Sequence, residues 1–415
     1  MKKIVILLFL TSVSYAQTKK CGTTAFMAEK LKDSHFSKNY YQFQNEFNAA
    51  FNSNKTAKKS NTLLVIPVAF HYPTGNESDR ECLISLAQEQ LNILNNDFNA
   101  TNSDLNLWFE QAAPFYPGVQ TGSLDVYFCL ATQNHPLNID PELLEGQPAV
   151  TIGYEFGGTY GVISDINWAG YLNIVVGPCD FAAGYSYIAA NPNNGDAVFI
   201  SNAFIGSGTT CGIAPNNFSD SSDLGRVATH EIGHYFNLFH PFADCTCDAS
   251  STDFVDDTPQ SNCTSGWDPP FGSVPGCNPP EKVLTMNYMD YQPGYAQFLF
   301  TEGQMYRSRT RLESIFDQYK IDFGSCSTLN LTQNELQSLL LYPNPSEGII
   351  NLKFNTEKFN TTEIVIFNTI GQVVYENNIL ISNEFAIDIS NLPAGHYFMK
   401  VKNGEELYNH KIIKN

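Results

Sequence analysis

The chain has 415 residues, 43% of them hydrophobic, and a formal net charge of −19. Its length exceeds one ordinary core and predicts two or three domains. A chain this acidic presents no strongly basic face, which argues against nucleic acid and anionic membrane as partners and suits extracellular work.

Lys2 and Lys3 precede the apolar run Ile4 to Leu10, and Ser14 and Ala16 are small at the positions a signal peptidase reads, so residues 1–16 are expected to be a cleaved secretion signal. The run falls short of the roughly 20 residues that span a bilayer, and no later segment comes closer, so no transmembrane segment is expected. Residues 17–60 are polar with little periodicity and read as a pro-segment or mobile arm. The basic stretch Lys55 to Lys59 is a natural cleavage point, with processing expected near Ser60.

The main body is expected over 61–326. TLLVIPVAFHY reads as a strand, LISLAQEQLNILNNDF as a helix, and SLDVYFCLA and YLNIVVG as further strands, which together predict a mixed α/β domain. The ten cysteines suit an oxidising compartment and structural bridges rather than a Cys-x-x-Cys metal site. Cys245, Cys247, Cys263 and Cys277 share one loop-rich segment and are expected to pair among themselves.

A helix follows in SSDLGRVATHEIGHYFNLFH, with Ser221, Ser222 and Asp223 as candidate caps. His230 and His234 are four apart and share one helix face, with Glu231 beside them. Neutral imidazoles suit zinc, and three protein ligands leave a fourth position for water, whose proton a nearby carboxylate can take as general base. Glu231 fits that role. An aromatic core helix would explain Tyr235, Phe236 and Phe239, but not three histidines with a glutamate, because buried titratable groups need partners. His240 is the best-placed third ligand, with Asp256 or Asp257 the minority alternative. For His240 to reach the ion, the chain must turn sharply near Asn237, a residue that tolerates positive φ.

From Pro241 to Pro280 the chain is rich in Pro, Gly, Cys, Asp and Ser, and so long an irregular stretch needs bridges or ions to hold it. Asp253, Asp256 and Asp257 offer the oxygen ligands that calcium takes, against the plainer possibility of a solvated acidic loop. A polar connector over 327–339 leads to a unit over 340–415. Its short alternating segments INLKF, EIVIFN, QVVYE, FAIDIS, HYFMKV and YNHKII predict an all-β, immunoglobulin-like sandwich without cysteine.

The extended motif His230, Glu231, His234 and His240, followed by NYMDY at 287–291 and FTEGQMYRSR, resembles a metzincin zinc endopeptidase of the pappalysin family, particularly its cytophagalysin branch. The resemblance covers about residues 62–320. It implies a metzincin-like fold and protein or peptide substrates. It also implies that Met289 forms the apolar floor of the zinc site and that Tyr291 stabilises the tetrahedral intermediate. TDFVDDTPQ resembles the family's calcium loop, which would make Asp253 and Thr258 ligands. KKCGT resembles the start of relatives whose pro-segment cysteine, here Cys21, blocks the zinc. That would leave nine other cysteines, so either one stays outside a bridge or Cys21 joins one.

Two features depart from the family: Asn237 stands where it has Gly, and QPGYAQ stands where several relatives carry an Asp and a Cys that favour cleavage beside basic residues. YPNPSEG, FNTIGQVVYE and LPAGHYFMKV resemble the sorting domain of the bacterial type IX system, implying export through the outer membrane of a Gram-negative cell by that machinery. The competing possibility, motivated by Asn237, is a secreted binding or adhesion protein on a decayed protease scaffold.

Overall fold

The protein is represented by a computed structural model. The structure describes residues 21–53, 62–206, 211–213, 224–242, 245–248, 252–262 and 268–320, and in the C-terminal unit 339–342, 346–354, 360–368, 372–381, 384–403 and 406–414. The expected signal, the Lys55 to Lys59 stretch and residues 327–338 of the connector lie outside them. Two compact units divide the chain, Met1–Cys326 and Ser327–Asn415. Among the described residues no helix is long and apolar enough to cross a membrane.

The first unit is built on a six-stranded sheet. Strand β1 (Leu64–Tyr72) pairs in parallel with β2 (Val126–Leu130), β3 (Val150–Ile152) and β4 (Leu172–Gly177). Beyond β4 lies parallel β6 (Ala197–Ser201), which pairs antiparallel with the short edge strand β5 (Gly184–Ser186). The inner strands are continuous apolar runs because both faces are covered. Helix α3 (Arg80–Phe98) packs Leu83, Leu86, Leu91, Leu94 and Phe98 into a core shared with Val68, Phe70, Phe128 and Ile174. Helix α4 (Arg226–Tyr235) adds Ala228 and Ile232 to that core, and α5 (Glu302–Ile315) adds Met305, Leu312 and Ile315. Strands β1, β2 and β4 and helices α3 and α4 were expected from sequence; β3, β5 and β6 were not anticipated.

Residues 17–60 are a correction to the expectation of an aperiodic arm. Their described part holds two helices, α1 (Thr23–Lys30) and α2 (Ser34–Ser53). In α2, Phe43, Phe47 and Phe51 recur every four residues and stack along one face at 5.7 and 6.2 Å. Phe47 and Phe51 are buried. That stripe is one residue wide and flanked by polar residues, so it stands out little in a polar segment.

The loop-rich stretch carries the disulfide Cys247–Cys277, and Cys82–Cys211 ties α3 to the loop after β6. Cys129 and Cys245 are also bridged. Cys21 and Cys179 remain outside disulfides, so of the two possibilities for the odd cysteine, the first holds among the described residues.

The second unit is all-β. One sheet has the order β10 (Val373–Ile381), β9 (Asn360–Asn368), β12 (Gly395–Asn403), β13 (Glu406–Lys414), and the other the order β11 (Glu384–Asp388), β8 (Ile349–Phe354), β7 (Leu339–Tyr342). All neighbours are antiparallel. Ile350, Leu352, Ile364, Ile366, Ile387 and Val401 form its core, as expected for alternating strands packed face to face.

Candidate metal centre

Helix α4 starts at Arg226 behind Gly225, which has φ 73° and gives no side-chain cap; Ser221, Ser222 and Asp223 lie outside the described residues. A side chain at Gly225 would meet Ile93 Cδ1 at 2.7 Å, so the helix enters by a tight contact with α3. It ends in a Schellman turn: Leu238 N donates to Gly233 O (2.9 Å) and Asn237 N to His234 O (2.8 Å), with Asn237 at φ 70°. Asparagine thus takes the conformation that glycine takes most easily, and the chain doubles back.

The result brings His240 to the other two histidines. Its Nε2 lies 3.1 Å from His230 Nε2 and 3.1 Å from His234 Nε2. Cys21 Sγ lies 3.6 Å from His234 Nε2, and the four ligand atoms lie within 4.8 Å of one another. Among the described residues this is the one cluster of three or more His, Cys, Asp or Glu groups that could hold a metal ion.

The donor set fits zinc. Zinc distances of about 2.05 Å to nitrogen and about 2.3 Å to sulfur imply tetrahedral edges of about 3.3 Å between nitrogens and about 3.6 Å from nitrogen to sulfur. Tautomers point the same way. His230 Nδ1 donates to Tyr288 O (2.7 Å) and His234 Nδ1 to Leu238 O (2.8 Å). A carbonyl only accepts, so in the neutral rings both Nε2 atoms carry bare lone pairs. His240 could bridge at most one of them with a proton; a cation satisfies all three. Burial lowers His230 to about 4 and holds His234 and His240 well below the usual imidazole value, the neighbouring imidazoles adding to the effect. The rings are therefore neutral at neutral pH, as ligands must be.

Glu231 is fully buried beside them. Its Oε2 accepts from Thr23 Oγ1 (2.7 Å), while Oε1 has no partner. Burial pushes its carboxyl up to about 8, against hydrogen bonds from Thr23 and Cys21 that pull it down. Burial also raises the Cys21 thiol well above its usual value, and the Glu231 charge adds to that.

Met289 is buried under α4: a Cβ at Gly233 would sit 2.5 Å from its Sδ, so the helix rests on the sulfur at that glycine. The Tyr291 ring lies 4.8 Å from the His240 ring and 6.0 Å from the His230 ring, and burial raises its phenol, followed by the charges of Cys21 and Glu231. The acidic loop behaves differently. Asp253 Oδ2 accepts from Thr258 Oγ1 (2.6 Å) and Oδ1 from Val255 N (3.1 Å), while Asp257 accepts from Thr301 Oγ1 (2.6 Å) and Gly303 N (2.8 Å). Asp257 is thus engaged at the N-terminus of α5, away from the histidine cluster.

Sequence reasoning missed the frame that carries Met289. Gln297 Nε2 donates to Asn287 O (3.1 Å) and Asp290 O (2.6 Å), bracing the turn, and Asn287 Nδ2 donates to Gln304 Oε1 (2.7 Å) at the start of α5.

Comparison with known proteins adds the following. Residues 201–313 match the peptidase family model described as pregnancy-associated plasma protein-A, and residues 340–415 match the secretion system C-terminal sorting domain. An extracellular metalloprotease of Colletotrichum graminicola is 36% identical over 141 residues, 34% of this chain and 46% of the relative. One of Pyricularia oryzae is 36% identical over 138 residues, 33% of this chain and 44% of the relative. The chain thus spans somewhat under half the length of these curated relatives. A promirolysin mutant of Tannerella forsythia superposes with a TM-score of 0.52 at 24% identity, covering 72% of this chain and 95% of that one. That likeness supports the metzincin-type fold.

Proposed function

We propose that this chain, akin to the pappalysin metallopeptidases over its histidine segment and to secretion sorting domains over its C-terminus, is the secreted precursor of a zinc endopeptidase. The observation that carries the reading is the convergence of three Nε2 atoms, two of them obliged to present lone pairs, beside a buried glutamate. Zinc held by His230, His234 and His240 would polarise a scissile carbonyl and raise the acidity of water.

The chain's own groups do the rest. The Tyr288 and Leu238 carbonyls orient two of the imidazoles. Glu231 takes the proton of the attacking water and returns it to the leaving amine. Tyr291, beside His240, donates a hydrogen bond to the developing oxyanion. Met289 supports α4 from below. The Schellman turn at Asn237 supports the enzyme over a decayed binder, because it delivers His240 despite the missing glycine.

Residues 17–60 act as the pro-segment. Cys21, 3.6 Å from His234 Nε2, would add a thiolate to the ligands of the ion, and Thr23 occupies Glu231, so that water and substrate would both be excluded until cleavage, expected near Ser60. The C-terminal unit directs export by the type IX machinery of a Gram-negative cell, and protein or peptide substrates follow from the activity. The same reading carries a structural calcium at Asp253 and Thr258. Asp253 is a buried carboxylate hydrogen-bonded to Thr258 and Val255 N, and a divalent ion would offset the cost of burying its charge. A melting temperature that rises with millimolar calcium checks that point, and an unchanged one removes it.

The main test is Glu231→Gln in the processed protein. It is expected to keep stoichiometric zinc while casein digestion falls at least about 1,000-fold. Full residual activity would refute the role given to Glu231.

A further inference from the structure

One buried carboxylate outside the metal cluster joins three segments that are far apart in sequence. Asp97, in the last turn of α3, is 2% exposed. Its Oδ2 accepts from Thr229 Oγ1 (2.7 Å), and its Oδ1 accepts from Tyr288 Oη (2.8 Å) and Arg226 Nη2 (3.2 Å). Thr229 immediately precedes His230, and Tyr288 supplies the carbonyl that accepts from His230 Nδ1. The carboxylate therefore grips both the backbone that carries this imidazole and the residue that sets its tautomer.

We propose that Asp97 is a positioning residue for His230, holding the ring so that Nε2 points into the metal cluster. The inference rests on the reading of His230 as a zinc ligand. The geometry separates this role from plain fold stabilisation, because Arg226 has a second carboxylate partner. Asp104 accepts from Arg226 Nη1 (2.7 Å) and Nη2 (3.0 Å), and the hydrogen bonds around it do not involve Thr229 or Tyr288. Losing Asp104 removes an ion pair from the same arginine and leaves the grip on His230 in place. A partner beyond the ligand itself tunes metal retention because ring orientation and ligand basicity both depend on it.

The test compares Asp97→Asn, Tyr288→Phe and Asp104→Asn in the zinc-loaded full chain. The rate of zinc transfer to excess chromophoric chelator is measured beside the melting temperature of the zinc-free protein, and kcat and KM are measured after processing. Asp97→Asn is expected to release zinc about 10-fold faster, at the lower end of the range for outer partners of a metal ligand. Tyr288→Phe should shift release in the same direction by less. Both should lower kcat with KM little changed, and Asp104→Asn should release zinc at the wild-type rate even where its melting temperature falls as far. Should Asp97→Asn fail to fold, Tyr288→Phe decides, since it removes a single hydroxyl. Wild-type release rates in both Asp97→Asn and Tyr288→Phe, or release that simply follows melting temperature across all three variants, would overturn the inference alone. A wild-type chain that holds no stoichiometric zinc would overturn the metal reading, and the inference with it.

Discussion

Helices α1 and α2 are separated by three residues, Leu31 to Asp33, yet the residues that open α1 meet the body of the protein differently from the aromatic face of α2. At the start of α1 the contacts are polar and small, while further along the helix Phe26 packs against Tyr185 and Tyr187 (5.3 and 4.9 Å) and Met27 is buried. Gly22 N donates to Gly184 O (2.7 Å) on the edge strand β5, Thr23 Oγ1 accepts from Ser186 N (2.9 Å) while donating to Glu231, and Cys21 faces the histidines. Gly22 itself is dictated by closeness, since a Cβ there would lie 2.8 Å from Ala182 Cβ. Around α2 the contacts are large and apolar. The guanidinium of Arg307 sits 5.0 and 5.5 Å from the rings of Phe47 and Phe51, and 5.4 and 5.3 Å from those of Phe239 and Phe254 on the body. Phe51 also packs 5.3 Å from Tyr306, and Arg307 Nη1 donates to Asn48 Oδ1 (2.8 Å). Blocking the chemistry thus falls to the residues that open α1, while Phe26 and Met27 of α1 and the phenylalanine face of α2 together grip the body.

The largest effect should come from the gripping helix, and only after the linker is cut. Truncating a buried phenylalanine costs about 3–5 kcal/mol in a core, and a partly exposed helix interface lies near the low end, so Phe51→Ala should speed departure of the cleaved segment about 100-fold. While the linker is intact, the high effective concentration of the tethered segment masks that loss, and the uncleaved variant should stay silent. Surface plasmon resonance or dilution-jump activity on processed protein measures the first, and peptide hydrolysis by the uncleaved chain the second. Strong activity in the uncleaved Phe51→Ala chain would break the division of labour.

Thr23→Val is the complementary test on α1 and is expected to be smaller. It removes the hydroxyl that satisfies Glu231 Oε2 and Ser186 N, leaving a buried carboxylate oxygen without its donor, at about 1.5–3 kcal/mol. Residual peptide hydrolysis by the uncleaved chain should rise about 10-fold because Thr23 sits on Glu231 itself, and the cleaved segment should leave about 10-fold faster. An uncleaved variant as silent as wild type would mean that Glu231 is masked by coverage alone.

The contrast also explains what could be read from sequence. The strands β1, β2 and β4, the helix α3 and the histidine helix announce themselves because their periodicity runs over many residues and their partners lie on the same contiguous core. His230, His234 and His240 were legible because ligand spacing is local. Helix α2 was missed although Phe43, Phe47 and Phe51 recur every four residues, since so narrow a stripe gains its burial from Arg307 and Arg311 at the far end of the domain, with Arg311 4.8 Å from the Phe43 ring. Asp97 and Gln297 were invisible for the same reason: a buried polar residue is defined by partners more than a hundred residues away or by a turn with no repeating pattern, and propensity carries neither.

The smallest expected effect sits where the two helices' roles meet, at Asn237. Its Oδ1 accepts from the buried Gln44 Nε2 of α2 (2.8 Å), and its carbonyl accepts from Arg307 Nε (2.8 Å), while its Nδ2 is buried without a partner. Asn237→Gly would relieve the left-handed backbone at φ 70°, worth about 0.5–1 kcal/mol to the body alone, and would remove an orphaned donor. It would also leave Gln44 Nε2 without its acceptor, loosening α2 by about 1 kcal/mol, roughly a fivefold faster departure after cleavage. Zinc content should stay stoichiometric, because the turn that delivers His240 depends on the backbone bonds to Gly233 and His234 rather than on the asparagine side chain. The two readouts therefore move in opposite directions, the melting temperature of the processed body up and the lifetime of the bound segment down. If both fell together, the side chain would be supporting the turn itself, and asparagine at this position would belong to the metal site rather than to the grip of α2.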